Sequence, residues 1–363
     1  MDCNTSIYAE LKIIEKIGFL KERKVSNTIK LGIIGLGRLG LEHAKNIHFH
    51  IPSAELYAVC SVVEAELEKA KKLFSPKLVT NDYHELFANP ELDGIVISTN
   101  SQTHCKIICE AVNSGVKHIY TEKPIGMSMD EIDQIKAAVE SRNDLLFQVG
   151  YNHRFDPNLV EAWEKVQSGY IGKPVLIRIE SRDQAGIEEF IVKFSPSSGG
   201  FIADMMTHDY DTARWFTGSE AETIFGFGGV FAYEGLKDCN DMDNTAILMK
   251  FRNGVMVVLT ASRNSAYGYH APMEIYGTNG SIKIGDYSYN NRNVYMNETG
   301  VTRNCSEWFF EYWQSTYLAE MEDFVRCIVE KDTPMVGMID GYKAVEWAIK
   351  ADEAVKEQKI VHL

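Results

Sequence analysis

The sequence predicts an α/β domain built on a parallel sheet, followed by an α+β domain with a large, mainly antiparallel sheet. Short apolar segments predict the first strands, at 29–35, 55–62, 93–99, 118–121 and 145–150. Helical stretches separate most of them, and this alternation is typical of right-handed βαβ units in a parallel sheet covered on both faces. After about residue 151 the regular alternation of apolar strands and helices ends. There Asn253-Gly254 and Asn279-Gly280 lie between apolar segments and predict tight antiparallel hairpins.

The other elements follow from periodicity and turn residues. Helical periodicity predicts helices at 82–88, 103–114, 129–141, 157–167, 202–216, 317–330 and 340–357. Apolar segments on the two sides of each Asn-Gly pair predict strands at 246–251, 255–261, 273–277 and 281–285. One further long strand is expected at 174–180.

The length of 363 residues suggests about two domains. We place an N-terminal extension at 1–28, the α/β domain at 29–150 and the α+β domain at 151–363. In the extension, Ile7 and Leu11 share one helical face, which predicts an appended amphipathic helix that packs against the body or a partner subunit.

Composition excludes several classes of protein. The formal net charge of −14 argues against a nucleic-acid partner and against binding to an anionic membrane surface. No apolar segment approaches the ~20 residues that a membrane helix needs, and the N-terminus has no signal-peptide pattern. Seven cysteines without a Cys-x-x-Cys motif predict free thiols, no metal site and a reducing, cytoplasmic setting.

A glycine-rich loop follows the first predicted strand. Gly35, Gly37 and Gly40 form a G-x-G-x-x-G that also contains Arg38 and Leu39. The first glycine permits a tight turn, the second lets backbone N–H groups approach a pyrophosphate, and the third lets helix and strand pack closely. In this strand–turn–helix setting the loop predicts dinucleotide binding.

The second strand does not end in the acidic residue that usually binds the ribose hydroxyls of NAD. Ser61 stands there instead, and its hydroxyl can bind a ribose without repelling a 2′-phosphate. No lysine or arginine sits beside it to clamp that phosphate, although Arg38 is a candidate for the adenosine end. The sequence favours NAD and leaves NADP open.

Lys123 follows a predicted parallel strand, where ligands of open α/β sheets bind. Pro124 keeps Lys123 out of the helical region and raises the chance of a cis peptide bond. A lysine there can hydrogen-bond a substrate hydroxyl and stabilise the charge that develops when its proton leaves. A solvent-exposed surface lysine is the alternative.

The helix predicted at 202–216 carries Asp204, His208 and Asp211 at spacings that share one face. A carboxylate one turn away is expected to orient the imidazole and to favour its protonated form. Such a histidine can act as a general base toward an alcohol. The alternatives are a solvated polar stripe, and a metal site for which the sequence places no third ligand.

Together these segments resemble the glucose–fructose oxidoreductase / inositol dehydrogenase / rhizopine catabolism (Gfo/Idh/MocA) family. The resemblance rests on the glycine loop, on segments 98–104 and 122–124, and on Asp204-x-x-x-His208, which span most of residues 29–217. Segments 151–156 and 267–269 are similar to the inositol dehydrogenase branch, most like inositol 2-dehydrogenase.

The resemblance implies a Rossmann domain and an open-faced sheet domain that forms a homodimer or homotetramer. It implies a catalytic group made of Lys123, Asp204 and His208. Besides the glycine loop, the residues it implies along the cofactor are Arg38, Ser61, Thr99, Asn100, His104, Glu122 and Asn152. The polyol contacts it implies are Asn152, His153, Asp183, Asp211 and Tyr269.

The implied activity is oxidation of a ring hydroxyl of a cyclitol (myo- or scyllo-inositol) or a related sugar to a ketone, with NAD as cofactor and NADP possible. His208 would accept the hydroxyl proton, Lys123 would hydrogen-bond the same oxygen, and Asp204 would orient the pair. Two alternatives remain open within the fold: an NAD-dependent glycosidase with transient oxidation, and a non-catalytic cofactor-sensing regulator.

Overall fold

The computed structural model describes residues 28–285, 294–298, 300–302 and 304–363, so the helix predicted within 1–28 lies outside the described residues. The first sheet has six strands: β1 (Ile29–Ile34), β2 (Ala54–Cys60), β3 (Leu78–Thr80), β4 (Gly94–Ile97), β5 (His118–Glu122) and β6 (Leu146–Gly150). Every pairing is parallel, in the order β3-β2-β1-β4-β5-β6. This is the strand order of a dinucleotide-binding Rossmann fold, whose ligand crevice lies between β1 and β4.

Helices connect these parallel strands. They are α1 (Arg38–Lys45), α2 (Glu64–Phe74), α3 (His84–Phe87), α4 (Ser101–Asn113) and α5 (Met129–Glu140). A π-helical turn at Asn46–His50 extends α1, and a 3-10 turn at Asn152–Phe155 follows β6. The sequence analysis predicted the other five strands and missed β3, because three residues are too few to show a period.

The second sheet contains seven strands: β7 (Pro174–Gln184), β8 (Ala221–Gly229), β9 (Asn244–Phe251), β10 (Met256–Ser265), β11 (Met273–Gly277), β12 (Ser281–Ile284) and β15 (Val361–His362). Its order is β12-β11-β7-β10-β9-β8-β15, and only the β7–β10 pairing is parallel. A separate hairpin pairs β13 (Tyr295–Asn297) with β14 (Gly300–Thr302). Both predicted hairpins, β9–β10 and β11–β12, are present.

The helices of this part are α6 (Pro157–Gln167), α7 (Glu188–Ser198), α8 (Gly200–Met205), α9 (Thr207–Thr217), α10 (Phe309–Glu330) and α11 (Met338–Glu357), with a 3-10 turn at Glu234–Cys239. The sequence analysis missed α7, and it merged α8 and α9 into one helix. Gly199, at positive φ, separates α7 from α8, whose first residue Gly200 is also at positive φ, and the chain is interrupted again at Met206.

Helix α10 joins the two parts of the molecule. Met321, Phe324 and Val325 on this helix are buried in one cluster with Leu31 and Ile33 of β1. The second part of the chain thus covers one face of the parallel sheet. The cavity described below therefore has walls from both sheets.

Among the residues that the structure describes, helices cover one face of the seven-stranded sheet. Helix α11 packs on β8 and α9, with Trp347 buried against Phe251. On the opposite face Phe227, Leu248 and Met256 are about half exposed. Among the described helices, none is both long enough and apolar enough to cross a membrane.

Candidate active site

A cavity of about 750 Å³ lies between the two sheets. It runs from the glycine loop after β1 to the ends of α8 and α9. It brings together most of the predicted site residues: Gly35, Gly37, Arg38, Leu39, Ser61, Thr99, Asn100, Glu122, Lys123, Asn152, His153, Asp183, Asp204, His208 and Tyr269. Gly40, His104 and Asp211 do not line it.

The glycine loop has the shape that a pyrophosphate requires. Gly35 has a φ of 93°, and a Cβ there would overlap the backbone of Ser98 after β4. A Cβ at Gly40 would overlap the carbonyl oxygen of Gly35, so this glycine is a packing residue. Gly37 has an ordinary φ of −63° and nothing within 4 Å of its ideal Cβ. The loop therefore leaves open space above the N-terminus of α1, where free N–H groups bind phosphate.

Glu122 ends β5 in a buried hydrogen-bond network. Its Oε1 is 2.6 Å from Nε2 of His43 and accepts a longer bond of 3.3 Å from the Tyr120 hydroxyl. Burial raises the pKa of Glu122, but the His43 hydrogen bond and the Lys123 charge outweigh it and leave the pKa lowered. Burial raises the pKa of the neighbouring Glu320 well above its ordinary value, so Glu320 is held as the neutral acid.

His43, Glu122 and Glu320 also offer ligand atoms within 4.8 Å of one another, as a metal site would. Two tetrahedral ligands at ~2.1 Å from one ion lie about 3.4 Å apart. The 2.6 Å contact between His43 and Glu122 is shorter than that. His43 and Glu122 are therefore placed as a hydrogen-bonded pair.

His104 supports the site from behind. Its Nδ1 lies 2.7 Å from the Pro124 carbonyl oxygen, and its Nε2 lies 3.1 Å from the Thr99 carbonyl oxygen. The Lys123–Pro124 peptide bond is cis. The ring thus ties the segment after β4 to the segment after β5, and it is buried instead of lining the cavity.

Lys123 and Asp204 meet at the far end of the cavity. Lys123 Nζ donates to the Asp204 backbone carbonyl at 2.7 Å and lies 3.7 Å from its Oδ1. Arg263 donates to Asp204 Oδ2 at 2.7 Å and to Asp183 Oδ2 at 2.8 Å. Burial raises the pKa of Asp204, but the two cations outweigh it, so the pKa is lowered and the carboxylate stays charged.

His208 faces this group without a carboxylate partner. Its Nδ1 is buried and makes no hydrogen bond within the described residues. Burial, followed by the nearby His153 and Lys123, lowers the pKa of His208 well below its ordinary value. The expectation that a carboxylate favours the protonated form was wrong, because Asp204 is held by Lys123 and Arg263 instead. The imidazole is neutral and is able to accept a proton.

Three rings stack beside the cavity. The Trp313 and His153 rings have centroids 4.0 Å apart, and the His153 and His208 rings have centroids 4.5 Å apart. Burial lowers the pKa of His153 to about 3, with Lys123 adding to the effect. Trp313 also donates from Nε1 to the Tyr269 hydroxyl at 2.8 Å. The stack fixes the orientation of both imidazoles in their neutral form.

Asp211 is placed away from the cavity. Its carboxylate accepts two hydrogen bonds from Arg154, at 2.8 and 2.6 Å, and it is buried. Arg154 also donates to Asp340 at 2.8 Å. The interruption at Met206 changes the helix phase, so the seven-residue spacing no longer keeps Asp211 on the face of Asp204. Asp211 forms a buried ion pair, and the prediction that it contacts substrate was wrong.

Sequence reasoning missed several residues that shape the cavity. Arg263 on β10 and Trp313 on α10 reach it from distant parts of the chain, and no local pattern marks them. Glu66, in the first turn of α2, also lines the cavity. The sequence did contain a signal for Glu66. Strand β2 does not end in the usual acidic residue, and Glu66 is an acidic residue that follows shortly after it.

Asp209 gives a pH-dependent prediction. It is buried, and its Oδ1 accepts a hydrogen bond from Ser181 at 2.8 Å. Burial raises the pKa of Asp209 to about 7. Since the unfolded chain has a pKa near ~3.9, the folded state binds this proton more tightly. The free energy of unfolding should therefore fall as the pH rises from about 4 to about 7, by up to ~4 kcal/mol from this group.

Urea unfolding of Asp209→Asn beside the wild type, at pH 5 and pH 8, measures this contribution. The free energy of unfolding of the variant, minus that of the wild type, should be higher at pH 8 than at pH 5. Asp238→Asn, at an exposed position, should show no such trend. A wild-type–variant difference that does not change with pH would contradict the assignment.

Comparisons with known proteins extend this picture. Residues 29–151 match the NAD-binding Rossmann domain of an oxidoreductase family, and residues 159–283 match the GFO/IDH/MocA C-terminal domain. The chain therefore belongs to the GFO/IDH/MocA family of NAD-binding oxidoreductases. The predicted fold class, with a Rossmann domain and a mainly antiparallel second sheet, is confirmed.

Individual relatives are similar along nearly the whole chain. The myo-inositol 2-dehydrogenase of Thermotoga maritima is 32% identical over 336 residues, 92% of this chain and 98% of the relative. The scyllo-inositol 2-dehydrogenase (NAD(+)) of Bacillus subtilis is 30% identical over 93% of this chain and 97% of the relative. The structure of scyllo-inositol dehydrogenase from Lactobacillus casei with bound NAD(H) and scyllo-inositol has a TM-score of 0.88 and 37% identity, covering 93% of this chain and 99% of that one.

Proposed function

We propose that this protein is an NAD-dependent dehydrogenase that oxidises one ring hydroxyl of a cyclitol, myo- or scyllo-inositol, to a ketone. The observation that carries the proposal is the meeting of Lys123, Asp204 and His208 at one end of a cavity whose other end is the glycine loop. Relatives named as inositol 2-dehydrogenases at about 30% identity support it.

The proton-transfer roles follow from the protonation states. His208 is neutral, so its imidazole accepts the proton of the substrate hydroxyl. Lys123 donates a hydrogen bond to the same oxygen and stabilises its developing charge. Asp204 is the ionised partner that holds the Lys123 ammonium group, which already donates to the Asp204 backbone carbonyl at 2.7 Å.

NAD, when bound, supplies the acceptor for the hydride that leaves the substrate carbon. The glycine loop would hold its pyrophosphate. Thr99 and Asn100, before the N-terminus of α4, line the same wall and would flank the cofactor. Glu122 and Asn152 line the cavity near Lys123 and would lie toward the nicotinamide.

The charge balance of the substrate end fits an uncharged polyol. Two cations, Lys123 and Arg263, face two carboxylates, Asp204 and Asp183. The imidazoles beside them are neutral. Among the described residues at this end, no positive charge is therefore left unpaired to bind an anionic sugar. Asn152, His153 and Tyr269 add polar atoms to the wall, and the buried Asn152 Oδ1 has no hydrogen-bond partner within the described part of the chain. We propose these three, with Asp183, as polyol contacts.

We also propose that two or four copies associate through the open face of the seven-stranded sheet. Phe227, Leu248 and Met256 project from neighbouring strands of this face and are 47–58% exposed. Exposed apolar patches of this kind mark interaction surfaces.

We further propose a reducing, cytoplasmic setting. The described cysteines are free thiols, which supports it.

The test is formation of reduced cofactor at 340 nm with myo-inositol, scyllo-inositol, glucose and glucuronate, each with NAD and with NADP. We expect turnover with an inositol and NAD, and little with the anionic glucuronate. Silence with every polyol, from protein that binds NAD, would overturn the proposal. Cleavage of an aryl glycoside without net reduction of NAD would favour the glycosidase alternative.

A further inference from the structure

The Glu66 carboxylate, from the helix that follows β2, lies at the end of this strand. Ser61, just after β2, donates from Oγ to the Glu66 carboxylate at 2.5 Å. The same Oγ accepts from the Val63 backbone N–H at 3.1 Å. Glu66 lies in the first turn of α2 and is only partly buried. Ser61 is thereby fixed, and it holds the Glu66 carboxylate at the strand end.

Both residues line the large cavity on the glycine-loop side. Cys60, the last residue of β2, accepts a backbone hydrogen bond from Gly35 at 2.8 Å, so this strand end adjoins the loop. In Rossmann domains the adenosine ribose lies here, and an acid at the strand end accepts its hydroxyl protons. Glu66 supplies a carboxylate to the same place from the next helix.

We propose that Glu66, oriented by Ser61, accepts the 2′- and 3′-hydroxyl groups of the adenosine ribose and excludes a 2′-phosphate. This inference deepens the proposed function, since it rests on a dinucleotide cofactor in this cavity. It revises the expectation from the sequence that Ser61 binds a ribose hydroxyl without repelling a 2′-phosphate. The Ser61 hydroxyl donates to Glu66, so a phosphate at this point meets a carboxylate.

The cations of the cavity wall do not offset this charge. Arg38 has its guanidinium carbon 5.3–5.6 Å from the ring centres of Phe190, Trp308 and Phe309. Lys123 and Arg263, the other lysine and arginine among the described lining residues, both pair with Asp204. A 2′-phosphate, with a charge of about −1.5 to −2 at pH 7, would meet Glu66, and besides these three cations no lysine or arginine among the described lining residues could offset the repulsion.

Direct binding tests the inference without any substrate. Calorimetry with NAD and with NADP gives both dissociation constants for the wild type and for Glu66→Gln. The wild type should bind NAD at least about 100-fold more tightly than NADP. In Glu66→Gln, NADP should bind on the order of tenfold more tightly, because the repulsion between like charges is removed. NAD should bind several-fold more weakly, because a charged acceptor is lost.

Glu68→Gln is the matched control, since Glu68 lies on the same helix, pairs with Lys71 at 2.6 Å and is about half exposed. It should leave both dissociation constants unchanged. Wild-type protein that binds NAD and NADP equally, or a Glu66→Gln variant with unchanged selectivity, would overturn the role of Glu66 and leave the proposed dehydrogenase intact. Failure of the wild type to bind either cofactor would overturn both proposals.

Discussion

Replacing His208 by alanine should lower kcat with inositol by about 10²–10⁴-fold, the usual contribution of a general base. The imidazole of His208 is a neutral base at the Lys123 end of the cavity, one helical turn beyond Asp204. Its Nδ1 makes no hydrogen bond among the described residues, so we expect the variant to keep the fold. The dissociation constant of NAD should therefore stay within about threefold of the wild-type value.

Lys123→Met should act on the same step. It removes the group that stabilises charge on the substrate oxygen, and removal of such a donor lowers kcat by about 10²–10³-fold. Exposed residues give matched controls: His50→Ala and Lys106→Met should keep wild-type kcat. If both His208→Ala and Lys123→Met turned over inositol at the wild-type rate, the catalytic assignment would be wrong.

Gly37→Ala and Gly40→Ala should fail in different ways. A Cβ at Gly37 meets no protein atom within 4 Å, and its φ of −63° suits alanine. The folded protein should therefore keep its stability, while the new methyl group blocks close approach of the pyrophosphate. We expect NAD to bind at least about tenfold more weakly, by calorimetry, with an unchanged melting temperature.

Gly40→Ala instead forces a methyl group against the Gly35 carbonyl oxygen. Strand β1 and helix α1 must then move apart, so the melting temperature should fall together with NAD affinity. Gly337→Ala, where the nearest atom is 4.0 Å from the built Cβ, should change neither. A Gly37→Ala variant that binds NAD as the wild type does would show that the cofactor does not use this loop.

The features that the sequence predicted correctly depend on short local segments. Gly35, Gly37 and Gly40 are defined by backbone geometry within one turn, and Lys123 by its place after a strand. The hairpins at Asn253-Gly254 and Asn279-Gly280 follow from two adjacent residues. Predicting each of these features requires only the residues next to it in the sequence. In the structure each lies at the strand end, helix start or hairpin turn where it was predicted.

Long-range pairing explains what was missed. Asp211 was predicted to face substrate, but Arg154, 57 residues away, takes its carboxylate. Arg263 likewise takes the Asp204 carboxylate that was expected to orient His208. Burial then reverses the expected protonation of His208, because desolvation acts on the charged imidazolium without a compensating partner. None of these three outcomes has a signature in sequence spacing.

In the proposed reaction, hydrogen moves from a ring carbon of the cyclitol to the cofactor. The most direct measurement uses inositol deuterated at every ring carbon, with NAD and the wild-type protein, followed by NMR of the reduced nicotinamide. We expect one deuterium at C4 of the reduced cofactor and a ketone product that has lost one deuterium. Reduced cofactor without deuterium, or NAD that stays oxidised while product forms, would contradict it.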